Sequence, residues 1–322
     1  MLSLSDRIAG AVLGAAIGDA LGHPTEFSSH RALEEKYGPG GVKGYELWWE
    51  REGKRFAPYT DDTQMAEIVL TALVNYGVGE DTFEAVMSAI GDGFATWYEH
   101  PQGGHRAPGN ACMAGAARLA QGIPWRDAGG PGAGGCGSVM RAYPFGLLLH
   151  AEPDRAERWA VEHSRMTHQA PIALAACAAM AAGMAHETVG GEPDQTLALM
   201  VTAAGRYDSQ TARMCERALD DARTGADSVA VLERLQGWAA HEAIAAAMFV
   251  IARHPDSVGA ALLEGANASG DSDSIATLAG ALLGARHGIR ALPADWVRDV
   301  ERSQQLLALA ARAADLAEAP AS

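Results

Sequence analysis

Two stretches of the chain, far apart in sequence, pair aspartates with hydroxyls: Thr60-Asp61-Asp62-Thr63 and Gly270-Asp271-Ser272-Asp273-Ser274. A third, Gly18-Asp19-Ala20-Leu21-Gly22, is followed closely by Glu26. Carboxylates and hydroxyls with no His or Cys beside them are hard oxygen donors, suited to Mg²⁺ or Mn²⁺ rather than zinc or copper. Four aspartates drawn together from separate segments would raise one another's pKa unless cations neutralised them, and two divalent ions resolve that conflict. Adjacent aspartates point roughly 100° apart on a helix, so Asp61 and Asp62 can address different ions or different sides of one. Capping is the competing explanation. Thr60 precedes an apolar periodic run and would be an N-cap, with Asp61 and Asp62 at the positive end of the helix dipole. Ser272 or Asp273 would cap a helix over 275–287 in the same way. Caps explain one acid per helix start better than two acids flanked by hydroxyls at both.

The elements that must position these groups are helices. Met65, Ile68, Val69, Ala72, Leu73 and Tyr76 fall on one helix face, and similar faces recur over 80–98, 167–186, 209–222, 241–252 and 295–315. Alternating runs are nearly absent, apart from a weak hairpin candidate at 45–49. Apolar residues make up 48% and aromatics 6%, with abundant Ala and Gly, which favours closely packed helices over a sheet. No stretch of the 322 residues reads as a linker. The expectation is an all-α, single orthogonal helical domain over 1–322, its last few residues disordered. Ala9-Gly-Ala-Val-Leu-Gly-Ala15 is nearly repeated as Ala279-Gly-Ala-Leu-Leu-Gly-Ala285. Small residues at every third or fourth position allow two helices to approach with backbones in near contact, which would bring the chain ends and their acidic clusters together. Two unrelated Ala-rich core helices fit the repeat equally well.

Other classes are disfavoured. A formal net charge of −15 removes counterion release as a source of affinity for a free polyanion, so tight nucleic-acid binding is not expected. Cys112, Cys136, Cys177 and Cys215 form no CxxC, which fits a reducing compartment. The N-terminus lacks a basic n-region, and no uncharged run is long enough for a bilayer, so the expected location is cytoplasmic, without membrane partners. Gly132, Gly134 and Gly137 match GxGxxG, but no strand precedes them, as a dinucleotide fingerprint requires. Neither HExxH, a di-iron ExxH pair nor a Walker lysine is present.

Taken in order, Gly18-Asp-Ala-Leu-Gly22 with Glu26, Thr60-Asp-Asp-Thr63, Gly135-Cys-Gly-Ser-Val-Met-Arg141, Thr167-His168 and Gly270-Asp-Ser-Asp-Ser-Ile-Ala-Thr-Leu-Ala-Gly280 resemble the ADP-ribosylglycohydrolases over nearly the whole chain. That resemblance implies a compact all-α domain with a binuclear Mg²⁺ or Mn²⁺ centre in a cleft. It implies Thr60, Asp61, Asp62, Asp271, Asp273 and Ser274 as metal ligands. Glu26 matches the family's mobile active-site glutamate, and Glu26 or a metal-site aspartate, Asp62 or Asp271, would act as general base. Gly135, Cys136, Gly137, Ser138 and Met140, with His168 and Asn110, would line ADP-ribose. A Gly-rich loop ahead of a helix can offer backbone amides to a diphosphate. Taken alone, His168 reads as a satisfied structural histidine and Arg141 as solvated or locally paired. The implied reaction cleaves the bond between C1″ of an ADP-ribosyl group and its acceptor, most simply a protein side chain with arginine favoured, releasing ADP-ribose. Several arginine-directed members carry an acid where this chain has Gly109-Asn110, which speaks against that linkage. Ser272 and Ser274 stand where the family commonly has Thr. Diphosphate cleavage, an ADP-ribosylated nucleobase as substrate, or a non-catalytic crystallin-like relative are the alternatives.

Overall fold

Glycine recurs at every fourth position of the first helix, Leu4–Gly22, and this stripe sets the centre of the molecule. The computed structural model describes residues 2–51 and 53–319. The disorder expected of the last few residues concerns positions outside that set. Ser3 caps the first helix by accepting from the amide of Asp6 at 3.0 Å. From Gly10 to Gly22 every residue is buried. Its partner is the helix Ser272–His287, which runs antiparallel to it and is buried from Ser272 to Ala285. A Cβ on Gly10, Gly14 or Gly18 would come within 2.1–2.2 Å of the carbonyl oxygens of Gly284, Gly280 or Ala276 respectively. The two repeats identified in the sequence therefore do pack on each other, backbone against backbone. Gly22, the last of the stripe, lies against Asp273, where a Cβ would be 2.3 Å from Asp273 Cα.

Around this pair pack Asp61–Tyr76, Pro171–Thr188, Ala240–Arg253, Val258–Ala266 and Ser303–Glu318. Nearly all buried apolar side chains form one continuous core, with a small satellite of Val161, Leu174, Ala178 and Ala203. Seventeen α-helices, three short 3₁₀ helices and one two-stranded hairpin make up the regular structure among the described residues. The all-α expectation holds.

Three boundaries outside the acidic clusters differ from the sequence reading. The helix expected from 167 begins at Pro171, because a residue before proline is steered out of the α region, and Thr167 and His168 stay in the preceding turn. The run over 295–315 is broken into Ala294–Asp299 and Ser303–Glu318, with Arg302 at φ 52°. Ala57 occupies the break: its amide donates to Asp299 O and its carbonyl accepts from Glu301 N, both at 2.9 Å. The hairpin pairs Trp49–Arg51 with Lys54–Phe56, just beyond 45–49. No helix among the described residues is long and apolar enough to cross a membrane.

Candidate functional site

The first helix carries Asp19 into the core, fully buried, where it holds the start of the helix Asp61–Tyr76. One carboxylate oxygen accepts from Thr60 N at 2.8 Å, and the other from Thr63 N at 3.0 Å and Thr63 Oγ1 at 2.6 Å. Amides at a helix start have no partner within the helix, and here a carboxylate from another helix supplies it. Burial, then the charge of Asp273, raises the pKa of Asp19 to about 6, against the pull of its Thr63 hydrogen bond. Asp19 belongs to a motif quoted from the sequence, but its role there was missed. The available signal was a lone acid among small apolar residues near the helix end.

Asp19 thus aims Asp61 and Asp62 at the second acidic cluster. Ser274 Oγ donates to Asp62 Oδ2 at 3.0 Å, joining the two directly. Thr60 does act as the N-cap, its Oγ1 accepting from Asp62 N at 3.3 Å. Capping fails at the other end. The helix begins at Ser272, not Ile275, and its cap position is Asp271, whose side chain accepts none of the helix amides. Asp271 Oδ2 instead faces the Cys136 thiol at 2.6 Å.

Glu26 arrives by the geometry of the glycine stripe. After Gly22 meets Asp273 the chain turns tightly, with Thr25 N and Glu26 N both donating to Gly22 O at 2.9 Å and Phe27 N to Gly270 O at 2.9 Å. A carboxylate oxygen from each of Glu26, Asp271 and Asp273 lies within 4.8 Å of the others. Burial, followed by the charges of Asp273, Asp271 and Asp61, pushes Glu26 up to about 10. Asp61, Asp62 and Asp271 are likewise held well above the usual carboxylate range, by burial first and Asp273 next. No Lys or Arg lines this cleft among the described residues. A buried acid cluster without a basic partner fits divalent cations, whose charge would restore every carboxylate to its ionised form.

The cleft, about 380 Å³, is lined by Glu26, Asp61, Asp62, Asp271, Asp273 and Ser274 together with Asn110, Gly135, Cys136, Gly137, Met140 and His168. A larger cavity of about 480 Å³ lies elsewhere, beside the helices Asp61–Tyr76 and Phe83–Glu99, but of its two acids Glu67 is already paired with Arg302 and Asp92 is exposed. Chemistry therefore singles out the smaller one. Two expected site residues do not line it. Thr60 keeps to its cap, and Ser138 turns into the core, accepting from Ser164 Oγ at 2.8 Å. Within the Gly-rich loop Gly132 and Gly134 also fall outside the lining, and the amides of Gly130, Ala133 and Cys136 already donate to the carbonyls of Thr167, Gly130 and Trp238. The expected run of free amides is thus broken.

Arg141 is neither solvated nor ion-paired. It is fully buried, stacks over Phe94 at 4.4 Å, and donates to Gly137 O and to Thr167 Oγ1. Burial and that guanidinium lower the pKa of His168 to about 3, so its ring is neutral. The rim also holds an aromatic pair that the sequence reading passed over, and behind the lining lies a buried arginine. Phe27, at φ 64°, stacks on Trp238 with ring centroids 5.2 Å apart. Arg106, sandwiched against Trp49 and salt-bridged to buried Glu301, fixes the entry to residues 107–111 of the lining. Single aromatics and a loop arginine carry no spacing that could have disclosed these contacts.

The chain is similar to known proteins over almost its whole length. The ADP-ribosylarginine hydrolase Tri1 of Pseudomonas putida (strain GB-1) is 27% identical over 95% of this chain and 77% of its own length. The ADP-ribosyl-[dinitrogen reductase] glycohydrolase of Rhodospirillum rubrum is 26% identical over 93% of this chain and 92% of its own. A solved structure titled ADP-ribosylglycohydrolase-related protein complex superposes with a TM-score of 0.73 at 25% identity, covering 98% of this chain and 99% of that one. The model of the ADP-ribosylglycohydrolase family matches residues 1–322, and the chain belongs to that family.

Proposed function

We propose that the protein is a Mg²⁺- or Mn²⁺-dependent glycohydrolase that releases ADP-ribose from an ADP-ribosylated acceptor, with a protein arginine side chain as the favoured acceptor. The observation that carries this reading is the convergence of Glu26, Asp61, Asp62, Asp271 and Asp273 on one cleft that no Lys or Arg lines among the described residues. In this reading Asp61, Asp62, Asp271, Asp273 and Ser274 would hold two divalent ions, while Thr60 caps the helix that presents Asp61 and Asp62. Such ions supply Lewis-acid charge at the ribosyl hydroxyls and at the attacking water.

The chain's own groups do the rest. Asp19 fixes the helix start that presents Asp61 and Asp62, and the Gly22–Asp273 contact places Glu26 on the same side of the cleft. With cations beside it, Glu26 is ionised and can take the proton of the attacking water; Asp62 and Asp271 are the other carboxylates within reach of that role. Gly135, Cys136, Gly137, Met140, His168 and Asn110 form the wall along which ADP-ribose lies. A relative named as an ADP-ribosylarginine hydrolase supports arginine as the acceptor. A cleft without cationic side chains also favours a cationic leaving group over an anionic one.

The purified protein should be challenged with ADP-ribosyl-arginine, ADP-ribosyl-serine and ADP-ribosylated DNA in Mg²⁺ or Mn²⁺. Free ADP-ribose with an intact acceptor is the expected product. AMP and ribose 5-phosphate would point instead to diphosphate cleavage, and no product with any substrate to a binding protein.

A further inference from the structure

Thr167 and His168 meet in the turn ahead of Pro171, and their hydrogen bonds admit one arrangement of protons. Thr167 is fully buried, and its Oγ1 has two partners: Arg141, which donates to it at 2.7 Å, and His168 Nδ1, also at 2.7 Å. A guanidinium can only donate, so it occupies a lone pair of the hydroxyl and cannot receive the hydroxyl proton. That proton has one remaining acceptor, His168 Nδ1. Were Nδ1 protonated instead, two donors would face Thr167 Oγ1 and its own proton would be buried without a partner, at the full cost of desolvation. The ring is neutral, since burial and the nearby guanidinium hold its pKa at about 3. The single ring proton therefore sits on Nε2.

Nε2 faces the cleft. It lies 3.5 Å from where a Cβ would stand on Gly135 and on Gly137, so glycine at both positions leaves this edge of the ring uncovered. No protein atom among the described residues takes a hydrogen bond from it. Backbone contacts pin the turn, with His168 N donating to Ser164 O at 2.7 Å and Ser164 Oγ to His168 O at 3.0 Å. Arg141 is in turn fixed by its stacking over Phe94 and its bond to Gly137 O.

We infer that Arg141 and Thr167 are positioning residues that lock His168 in its Nε2–H tautomer, making the ring a permanent neutral hydrogen-bond donor to a phosphate or ribose oxygen of the bound nucleotide sugar. The inference rests on the reading of the cleft as an ADP-ribose site. Its consequence is specific: the donor keeps its proton across the physiological pH range, and its direction is set by a buried side chain that never touches the ligand.

The test combines side-chain ¹⁵N NMR of histidine-labelled protein with titration of free ADP-ribose in Mg²⁺. The His168 signals are assigned by their absence in His168→Gln. In the unaltered protein between pH 6 and 8, Nδ1 should show the shift of an unprotonated acceptor and Nε2 that of a protonated nitrogen. Thr167→Ser, which keeps the hydroxyl, should hold the Kd within a few-fold. Thr167→Val, which removes it at constant shape, should shift the ring proton towards Nδ1 in the spectrum and weaken binding in proportion to the Nε2–H population lost, roughly tenfold where that tautomer falls to a tenth. An Nδ1–H tautomer in the unaltered protein would overturn the inference, as would equal weakening by the Ser and Val replacements. Should Thr167→Val fold poorly, the spectrum of the unaltered protein and the Thr167→Ser titration still decide. Absence of any ADP-ribose binding by the unaltered protein would count against the function proposed above, whereas the tautomer would still be read from the spectrum.

Discussion

Replacing Gly14 by alanine sets two well-characterised effects against each other. In a helix interior alanine is favoured over glycine by about 1 kcal/mol, so propensity alone predicts a more stable protein. At Gly14, however, the new Cβ would lie 2.2 Å from Gly280 O and 2.9 Å from Gly280 C, both backbone atoms that no side-chain rotation can move. The two central helices must separate, and overpacking of this kind typically costs about 1–3 kcal/mol, with a rigid contact at the upper end. The net expectation is a loss of about 2 kcal/mol. Gly205 is the matched control: it sits exposed in the helix Pro193–Tyr207, where a Cβ would meet only Ala212 Cβ at an ordinary 3.6 Å. Gly205→Ala should stabilise by roughly 0.5–1 kcal/mol. Urea titrations followed by circular dichroism should show the midpoint moving down for Gly14→Ala and up for Gly205→Ala. A neutral or stabilising Gly14→Ala would refute the close backbone packing on which the placement of Glu26 beside Asp273 depends.

Glu26→Gln should retain metal and ADP-ribose binding by calorimetry while turnover falls by roughly 10²–10⁴-fold, the usual loss for a general base; a loss confined to affinity would make Glu26 a gating residue instead. Asp19→Asn exchanges an acceptor of three hydrogen bonds for a group with one acceptor oxygen, and should cost about 1–3 kcal/mol in denaturation and weaken metal binding; unchanged metal affinity would remove its bracing role. In chelator, thermal stability should fall as pH rises from 7 to 8.5. Glu26, pushed up to about 10 in the folded state, stays protonated there while the unfolded chain ionises, so it removes about 1.4 kcal/mol per pH unit, and the upward shifts of Asp61, Asp62 and Asp271 act in the same direction. Neutral His168 adds nothing in that window, because its penalty accrues only below the ordinary histidine pKa. Mg²⁺ should flatten the slope, and a rise in melting temperature with pH in chelator would contradict it.

Much of this site can be read from the sequence because its parts are local patterns. Paired acids at helix starts, a glycine stripe and a duplicated small-residue run each lie within one segment, and the family likeness fixes their order. The repeats packed on each other because glycine at every fourth position removes the only atoms that would keep the backbones apart. What escaped is relational. Asp19 works through amides of a different helix, Ser138 faces the core instead of the cleft, and Arg141 is buried under Phe94 although nothing in its neighbourhood announces it. The break at Val300 to Arg302 depends on Ala57, a residue from the other end of the chain, so periodicity alone carried the helix straight through it.

Release of ADP-ribose from ADP-ribosyl-arginine, followed while Mg²⁺ or Mn²⁺ is titrated into chelator-stripped protein, bears most directly on the central claim. Activity should be absent at the start, rise saturably with metal, and remain absent in Asp273→Asn, whose fold should be intact by circular dichroism. Full release in excess chelator, or an Asp273→Asn protein as active as the unaltered one, would contradict a metal-dependent site built on these aspartates.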